Sequence, residues 1–477
     1  MANASDQAAR AQLVDEIRNR CGTKAVVGDP ADVEPWLSDW RGHYHGRSDA
    51  ILAPASTEEV ALVVGLAAKH GVPLVPQGGN TSMVGGATPP ADGSALILSL
   101  RRMNRIRLLD AEANSAVAEA GVVLATLHEA AATAGRRFPL TLGARGSCTI
   151  GGLCATNAGG TQVLRFGTMR SLVAGVEAVL ADGSIHSGLS ALKKDNRGYN
   201  LDQLLIGSEG TLGIITAAAL RLVPAVTARA VAWAGLADPQ AALALLRFCE
   251  ARTGRIEGFE LVAGDSLELV LRHIPGTRNP LEGPHRWHVL IEATADSADI
   301  DPAGLLQSLL AQAHDAGMVE DATVSSSESQ VEALWRIRDS ISEAERCEGP
   351  STAHDISVPV ADMPRFIAEV SAAVEQAFTG TTASAFGHLG DGNVHFHVRA
   401  GSRAAPDWID AEGPAITRFV DDLVTAAGGS ISAEHGIGQM KRGELERLAV
   451  PGDLAAMRAI KRALDPQGLM NPGKLVG

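Results

Sequence analysis

Pro76-Gln77-Gly78-Gly79-Asn80-Thr81-Ser82-Met83-Val84-Gly85-Gly86 begins as an apolar, strand-like run from Pro73 to Val75 ends. Glycine tolerates backbone conformations closed to other residues, so consecutive glycines let successive N–H groups converge on an anion. Asn80, Thr81 and Ser82 add side-chain donors. The stretch holds no Lys, so it is not a Walker loop, and it does not match GxGxxG. Two later segments repeat its character. One is Gly143-Ala144-Arg145-Gly146-Ser147 followed by Gly151-Gly152-Leu153-Cys154-Ala155-Thr156-Asn157-Ala158-Gly159-Gly160. The other is Gly207-Ser208-Glu209-Gly210-Thr211-Leu212-Gly213-Ile214-Ile215. Three such loops suit a long diphosphate cofactor laid across exposed backbone, and Ile214 and Ile215 suit a flat ring system.

Outward from the first loop, Asp49 to Pro76 reads strand, helix, strand. Ser56 followed by Glu59 is a capping-box pattern, Val60 to Ala68 is helical and Gly71 ends the helix. A βαβ unit implies at least one parallel pair. An amphipathic helix is expected from Gln7 to Asn19, with Leu13, Val14 and Ile17 on one face. After Pro224 the character changes. Thr227–Ala234 and Gly258–Val262 are strand-like, Pro239–Ala251 is helical, and longer helices are expected from Ser327 to Cys347 and from Met363 to Phe378. The reading is an α+β chain. Residues 1–224 form the cofactor domain with its core from about 45, residues 225–425 a second domain, and residues 426–477 a C-terminal helical segment that returns to the first.

Composition narrows the function. Among 477 residues the formal charge is −14 and aromatics make up only 4%, which argues against a nucleic-acid tracker or electrostatic docking on an anionic membrane. The five cysteines include no CxxC pair, so a reducing compartment is expected, and with no apolar leader or long apolar span the expectation is a cytoplasmic protein without a transmembrane segment.

The densest chemistry is Phe386-Gly387-His388-Leu389-Gly390-Asp391-Gly392-Asn393-Val394-His395-Phe396-His397-Val398. Gly-Asp-Gly signals a turn between alternating strands, which is expected to set His388 opposite His395 and to put His397 on the His395 face. Two imidazoles across a hairpin can share one divalent cation. Ser432-Ala433-Glu434-His435-Gly436-Ile437-Gly438 could complete the set through Glu434.

These phrases resemble the flavin domain of the vanillyl-alcohol oxidase / p-cresol methylhydroxylase superfamily over Trp40 to Pro224. Over nearly the whole chain they resemble its D-2-hydroxyacid dehydrogenase branch, the D-2-hydroxyglutarate, D-lactate and glycolate dehydrogenases, with the first closest in phrasing. The resemblance rests on PQGGNTSMVGG, GSCTIGG, ATNAGG, KDNRGYNLDQLLIGSEGTLGIIT, GHLGDGNVH and SAEHGIG. It implies FAD contacts at Pro76, Gln77, Gly78, Gly79, Asn80, Thr81, Gly143, Ser147, Thr149, Gly152, Thr156, Asn157, Gly160, Glu209, Gly210, Ile214, Ile215 and Asn471. The first loop lacks the His used for covalent tethering, so FAD is expected to be non-covalent. The resemblance also implies a Zn or Mn ion on His388, His395 and Glu434, with His435 as the base. For the substrate it implies Arg338 and Ser342, read here as i, i+4 neighbours on one helix, together with Asn393 and His397.

The implied reaction oxidises a D-2-hydroxy acid to the 2-oxo acid, with hydride passing to the flavin. Ala353 stands where hydroxyglutarate-type relatives carry Lys, and His397 where they commonly carry Asn, so the acid itself is left open. Lys474, in Asn471-Pro472-Gly473-Lys474, is expected to be a solvated surface residue. No NAD, iron–sulfur or haem motif is present, which implies an external electron acceptor (electron-transfer flavoprotein, quinone or cytochrome), and family habit implies a homodimer. Two alternatives stay open at this point: a metal-dependent hydrolase, and a non-catalytic FAD-binding subunit of a glycolate-oxidase-like complex.

Overall fold

The computed structural model describes residues 4–190, 192, 194–402 and 404–476. The chain divides into two units. The first takes in Met1–Gly160, Gly167–Ala225 and Glu434–Gly477; the second takes in Thr161–Phe166 and Val226–Ala433.

In the first unit Ser56 Oγ accepts from Glu59 N–H at 3.2 Å, and the Glu59 carboxylate reaches back to Ala55 N–H at 2.7 Å. This reciprocal cap contributes about 1 kcal/mol and starts the helix Thr57–His70. Gly71, at φ 66°, ends it. The strand–helix–strand expectation meets one difference. Ile51–Leu52 and Leu74–Gln77 are not neighbours; both pair in parallel with Leu96–Ser99, which lies between them. Leu96, Ile97 and Leu98 are buried on every side, so this run takes the interior of the sheet and the helical crossover steps over it.

The helix Ala4–Cys21 packs Leu13 and Ile17 into the same core as Val60, Val63, Leu74, Leu96, Val179, Ile214 and Met470. Each large apolar side chain removed from water in this way contributes about 1.5–3 kcal/mol. A second, antiparallel sheet runs Ile106–Asp110, Ser115–Glu119, Ile214–Arg221, Val173–Val179, Ile185–Ser187.

The second unit is built on seven antiparallel strands in the order Asp321–Val324, Ala228–Leu236, Trp287–Ala295, Ile256–Ala263, Thr382–His388, Asn393–Arg399, Ser351–Ser357. One face carries Leu261, Ile356, Val394, Phe396 and Val398 under helices that include Pro239–Glu250, Met363–Ala377 and Trp408–Ala426. The opposite face carries Val262, Leu290 and Phe386 under Gly264–His273, Glu328–Asp339 and Ile341–Cys347.

The expected single helix from Ser327 to Cys347 is therefore two, separated at Ser340. Asp339 and Ser340 are residue types that favour helix ends over helix interiors, and the break falls there, ahead of Ile341. Arg338 and Ser342 thus belong to different helices rather than to one i, i+4 face. Among the described residues no helix is long and apolar enough to cross a membrane.

Candidate active site

In the first unit the three glycine loops lie against one another. A Cβ on Gly79 would sit 1.8 Å from Ser147 O, and one on Gly78 would sit 2.1 Å from Thr149 Oγ1. Gly210 takes φ 72°, and a Cβ there would meet Pro76 Cγ at 2.9 Å. At Gly79 and at Gly160, which faces Thr141 O, backbone approaches backbone, while Gly78 and Gly210 make room for the Thr149 and Pro76 side chains. The C-terminal segment joins the cluster through Asn471, whose Nδ2 donates to Gly86 O at 3.0 Å and to Glu209 O at 2.7 Å.

Several expected side-chain donors are used inside the protein. Asn80 Nδ2 donates to Ser38 O, Thr156 Oγ1 to Gly152 O, and Asn157 Oδ1 accepts from Arg170 N–H. Ser82 Oγ accepts from Gly86 N–H and folds its own loop, while Gln77 Nε2 donates to Trp36 O and Ala87 O. Ile214 is in the core, beside Ile215 on the same buried strand.

What stays unsatisfied marks the ligand side. Gln77 Oε1, Thr149 Oγ1 and Asn471 Oδ1 are buried without a partner among the described residues, a state that costs about 1–3 kcal/mol each unless a ligand or water supplies one. A cavity of about 380 Å³ opens between the first two loops, lined by Gly79, Gly146, Ser147 and Thr149. Its other walls include Trp36 and Arg101, whose guanidinium stacks over the indole at 4.3 Å. Gly143 and Ser147 are exposed, and Thr81 and Gly152 are half-buried.

In the second unit the polar residues collect on one sheet face. The hairpin pairs His388 with Asn393 and Phe386 with His395, so His388 is not opposite His395 as expected but diagonal to it. The turn takes four residues, Leu389 to Gly392, and the register shifts accordingly. The two imidazoles still meet, with ring centroids 5.5 Å apart, and His397 follows on the same face. On the neighbouring strand Glu260 pairs directly with His388.

His388 Nδ1 lies 2.7 Å from Glu260 Oε1, an arrangement that turns Nε2 toward any ligand. Arg338 Nε and Nη2 reach Glu260 Oε2 at 2.8 and 2.7 Å, and Nη2 lies 3.2 Å from His388 Nε2. Burial alone would raise the Glu260 carboxyl, but Arg338 and His388 outweigh it and hold its pKa below the ordinary value. Burial, then the positive charges of His388 and Arg338, push the His395 imidazole well below its ordinary pKa.

Asn393 is buried, with Nδ2 donating to Asp355 Oδ1 and Ile356 O, and Asp355 lies across from His395 in the register. His397 Nδ1 contacts Glu345, whose other oxygen accepts from Ser384 Oγ at 2.6 Å. Burial raises the Glu345 carboxyl; His397 and Ser384 more than offset this and lower it. Ser342 is half-buried on the same helix as Glu345.

Ala433 is the last residue of the second unit, and its N–H donates to Asp355 O. Glu434 and His435 follow it directly in the chain and belong to the first unit, both half-buried.

Three carboxylates, Glu260, Glu345 and Asp355, were not picked out by the sequence reading. Glu260 had a signal, a charged residue inside the apolar strand Ile256–Ala263; the other two depend on distant partners. Lys474 is a correction. Expected at the surface, it is only 2% exposed, because the segment from Asn471 onward folds inward on the first unit.

Two family models match the chain. Residues 226–475 match the family described as FAD linked oxidases, C-terminal domain, and residues 48–188 match the FAD binding domain. The chain is 38% identical to the mitochondrial D-2-hydroxyglutarate dehydrogenase of Bos taurus, covering 94% of this chain and 81% of the relative. It is 37% identical to the D-2-hydroxyglutarate dehydrogenase of Xanthomonas citri pv. viticola, covering 94% and 93%. Among solved structures, substrate-bound p-cresol methylhydroxylase aligns with a TM-score of 0.73 at 16% identity, over 98% of this chain and 97% of that one. The chain belongs to the FAD-linked oxidases, in the D-2-hydroxyacid dehydrogenase branch of the vanillyl-alcohol oxidase / p-cresol methylhydroxylase flavoproteins.

Proposed function

We propose that the protein oxidises a D-2-hydroxy acid to the corresponding 2-oxo acid with non-covalent FAD, a divalent ion and an external electron acceptor. The observation that carries this reading is the single sheet face on which Arg338, His388 and His395 converge around the buried Glu260, in a chain whose relatives are D-2-hydroxyglutarate dehydrogenases.

When bound, FAD supplies a two-electron acceptor, and a divalent cation makes a coordinated hydroxyl more acidic. The chain's own residues do the rest. Glu260 fixes the Arg338 guanidinium in one plane, ready for a second carboxylate, that of the substrate. His388 and His395, with Glu434, are the ligand set; two imidazoles and a carboxylate suit Zn²⁺ or Mn²⁺. His435, next in the chain, takes the hydroxyl proton. Asn393 holds the hairpin to the Ser351–Ser357 strand, and Ser342 and His397 border the substrate side. The three glycine loops present backbone to the FAD diphosphate, with Arg101 supplying charge at the cavity.

The substrate side chain would meet His397, in contact with Glu345, and Ala353 directly across from His397. Nothing in either matched family favours the hydrolase alternative. The silent-subunit alternative is separated by His435→Ala in FAD-loaded protein, assayed with an artificial acceptor and D-2-hydroxy acids. A fall of about 10²–10⁴ in kcat with FAD retained supports the reading; unchanged turnover removes His435 as base, and no turnover in either protein revives the silent subunit.

A further inference from the structure

The first unit buries a cation that the proposed chemistry leaves unused. Lys474 is 2% exposed, and among the described residues its ammonium has one hydrogen bond, a 3.4 Å contact to Pro472 O. An ammonium taken out of water without a close anion is costly. Its charge acts on Glu209, itself buried at φ 53° in the third glycine loop and also within reach of the Lys441 charge. Glu209 is already committed: Oε1 accepts from Ile437 N–H and Oε2 from Gly438 N–H, each at 2.7 Å. Three residues before Lys474, Asn471 ties the first and third loops together and leaves its own Oδ1 without a partner. A half-satisfied cation thus sits where the loops of the flavin-binding unit and the C-terminal segment are knotted together.

We propose that Lys474 is the fixed cation of the flavin site, the counter-charge for the negative charge that a bound flavin takes up on reduction, with Glu209 and Asn471 setting its position. Burial pushes the Lys474 ammonium down to about 8, and Glu209 partly opposes this, so the charge is largely present at neutral pH and is responsive to an anion placed beside it. Glu209, whose carboxyl burial pushes up while the Ile437 and Gly438 N–H groups and Lys474 and Lys441 pull it down, works against the same effect to the extent that it is ionised. Two variants should therefore move one property in opposite directions. The inference rests on FAD binding and not on which acid is oxidised.

Sulfite is the probe. It adds through sulfur to the flavin N5, forming one bond and leaving the ring negatively charged, so its affinity reports the nearby cation without any substrate. In protein loaded with FAD, Lys474→Met is expected to weaken sulfite binding at least about tenfold. A matching tenfold change in the two-electron equilibrium lowers the midpoint potential by about 30 mV. Lys474→Arg should restore most of the affinity. Glu209→Gln should strengthen sulfite binding and raise the potential. Stoichiometric FAD with unchanged sulfite affinity and potential in Lys474→Met would overturn the proposal and leave Lys474 a structural residue. If Lys474→Met does not retain FAD, Glu209→Gln decides: stronger sulfite binding sustains the proposal, while weaker or unchanged binding overturns it.

Discussion

Glu260 shows how much of this site depends on one residue. It is buried, it holds the Arg338 guanidinium through both oxygen-facing nitrogens, and it orients His388. Removing one member of a buried ion pair leaves the other charge uncompensated, so Glu260→Ala is expected to cost about 3–5 kcal/mol in urea denaturation. Replacing both partners, as Glu260→Leu with Arg338→Met, should be milder than either single change; equal or additive losses would show that the pair is not the source. His388, His395, Arg338 and Asn393 were legible in the sequence because their residue types and spacing announce chemistry. Glu345 and Lys474 were not, because their partners lie more than 50 and 200 residues away in sequence. Thiol chemistry is also set at this scale. Burial pushes Cys148 and Cys249 up to about 11 and Cys154 up to about 12, whereas Cys347 is exposed. Fast labelling by a maleimide at pH 7.5 should fall mainly on Cys347 and be largely lost in Cys347→Ser; rapid modification of Cys154 in folded protein would contradict the buried placement.

At the level of elements, the hairpin after His388 carries the site. The sequence announced the turn and the shared face, yet missed the register by one step along the ladder, because turn length and not the Gly-Asp-Gly tripeptide sets which residues pair. Gly392 takes φ 81°, and a Cβ there would lie 2.1 Å from Val358 O. Gly392→Ala is therefore expected to destabilise by at least about 1–3 kcal/mol and to weaken zinc binding measured by calorimetry. Wild-type stability and zinc affinity in that variant would show that the turn does not position the imidazoles. The helix break at Ser340 is a second lesson. Periodicity ran on through Asp339 and Ser340, but two adjacent residue types that favour helix ends over helix interiors mark where one helix stops and the next starts. By contrast, the Ser56 and Gly71 caps were readable because both are local hydrogen-bond geometries.

For the whole molecule, the class of chemistry was readable while the assignment of segments to units was not, since Thr161–Phe166 joins a unit otherwise formed by residues after 225. Leu164 packs against Gly390, where a Cβ would meet its Cδ1 at 2.7 Å, and no local pattern announces such a contact. Cofactor binding gives a molecule-wide prediction. Free FAD at about 100 times its Kd should stabilise the protein by about 2.7 kcal/mol through mass action, visible as a raised Tm; Gly79→Val, which would drive a side chain into Ser147 O, should abolish that rise. The central claim, flavin-dependent oxidation of D-2-hydroxy acids, is tested most directly by mixing FAD-loaded protein anaerobically with D- and L-2-hydroxy acids and following the visible flavin absorbance. Bleaching by a D-acid, absent with its L-enantiomer and lost after chelation, is the predicted result; a flavin that stays oxidised with every D-acid, or bleaches only with L-acids, would contradict it.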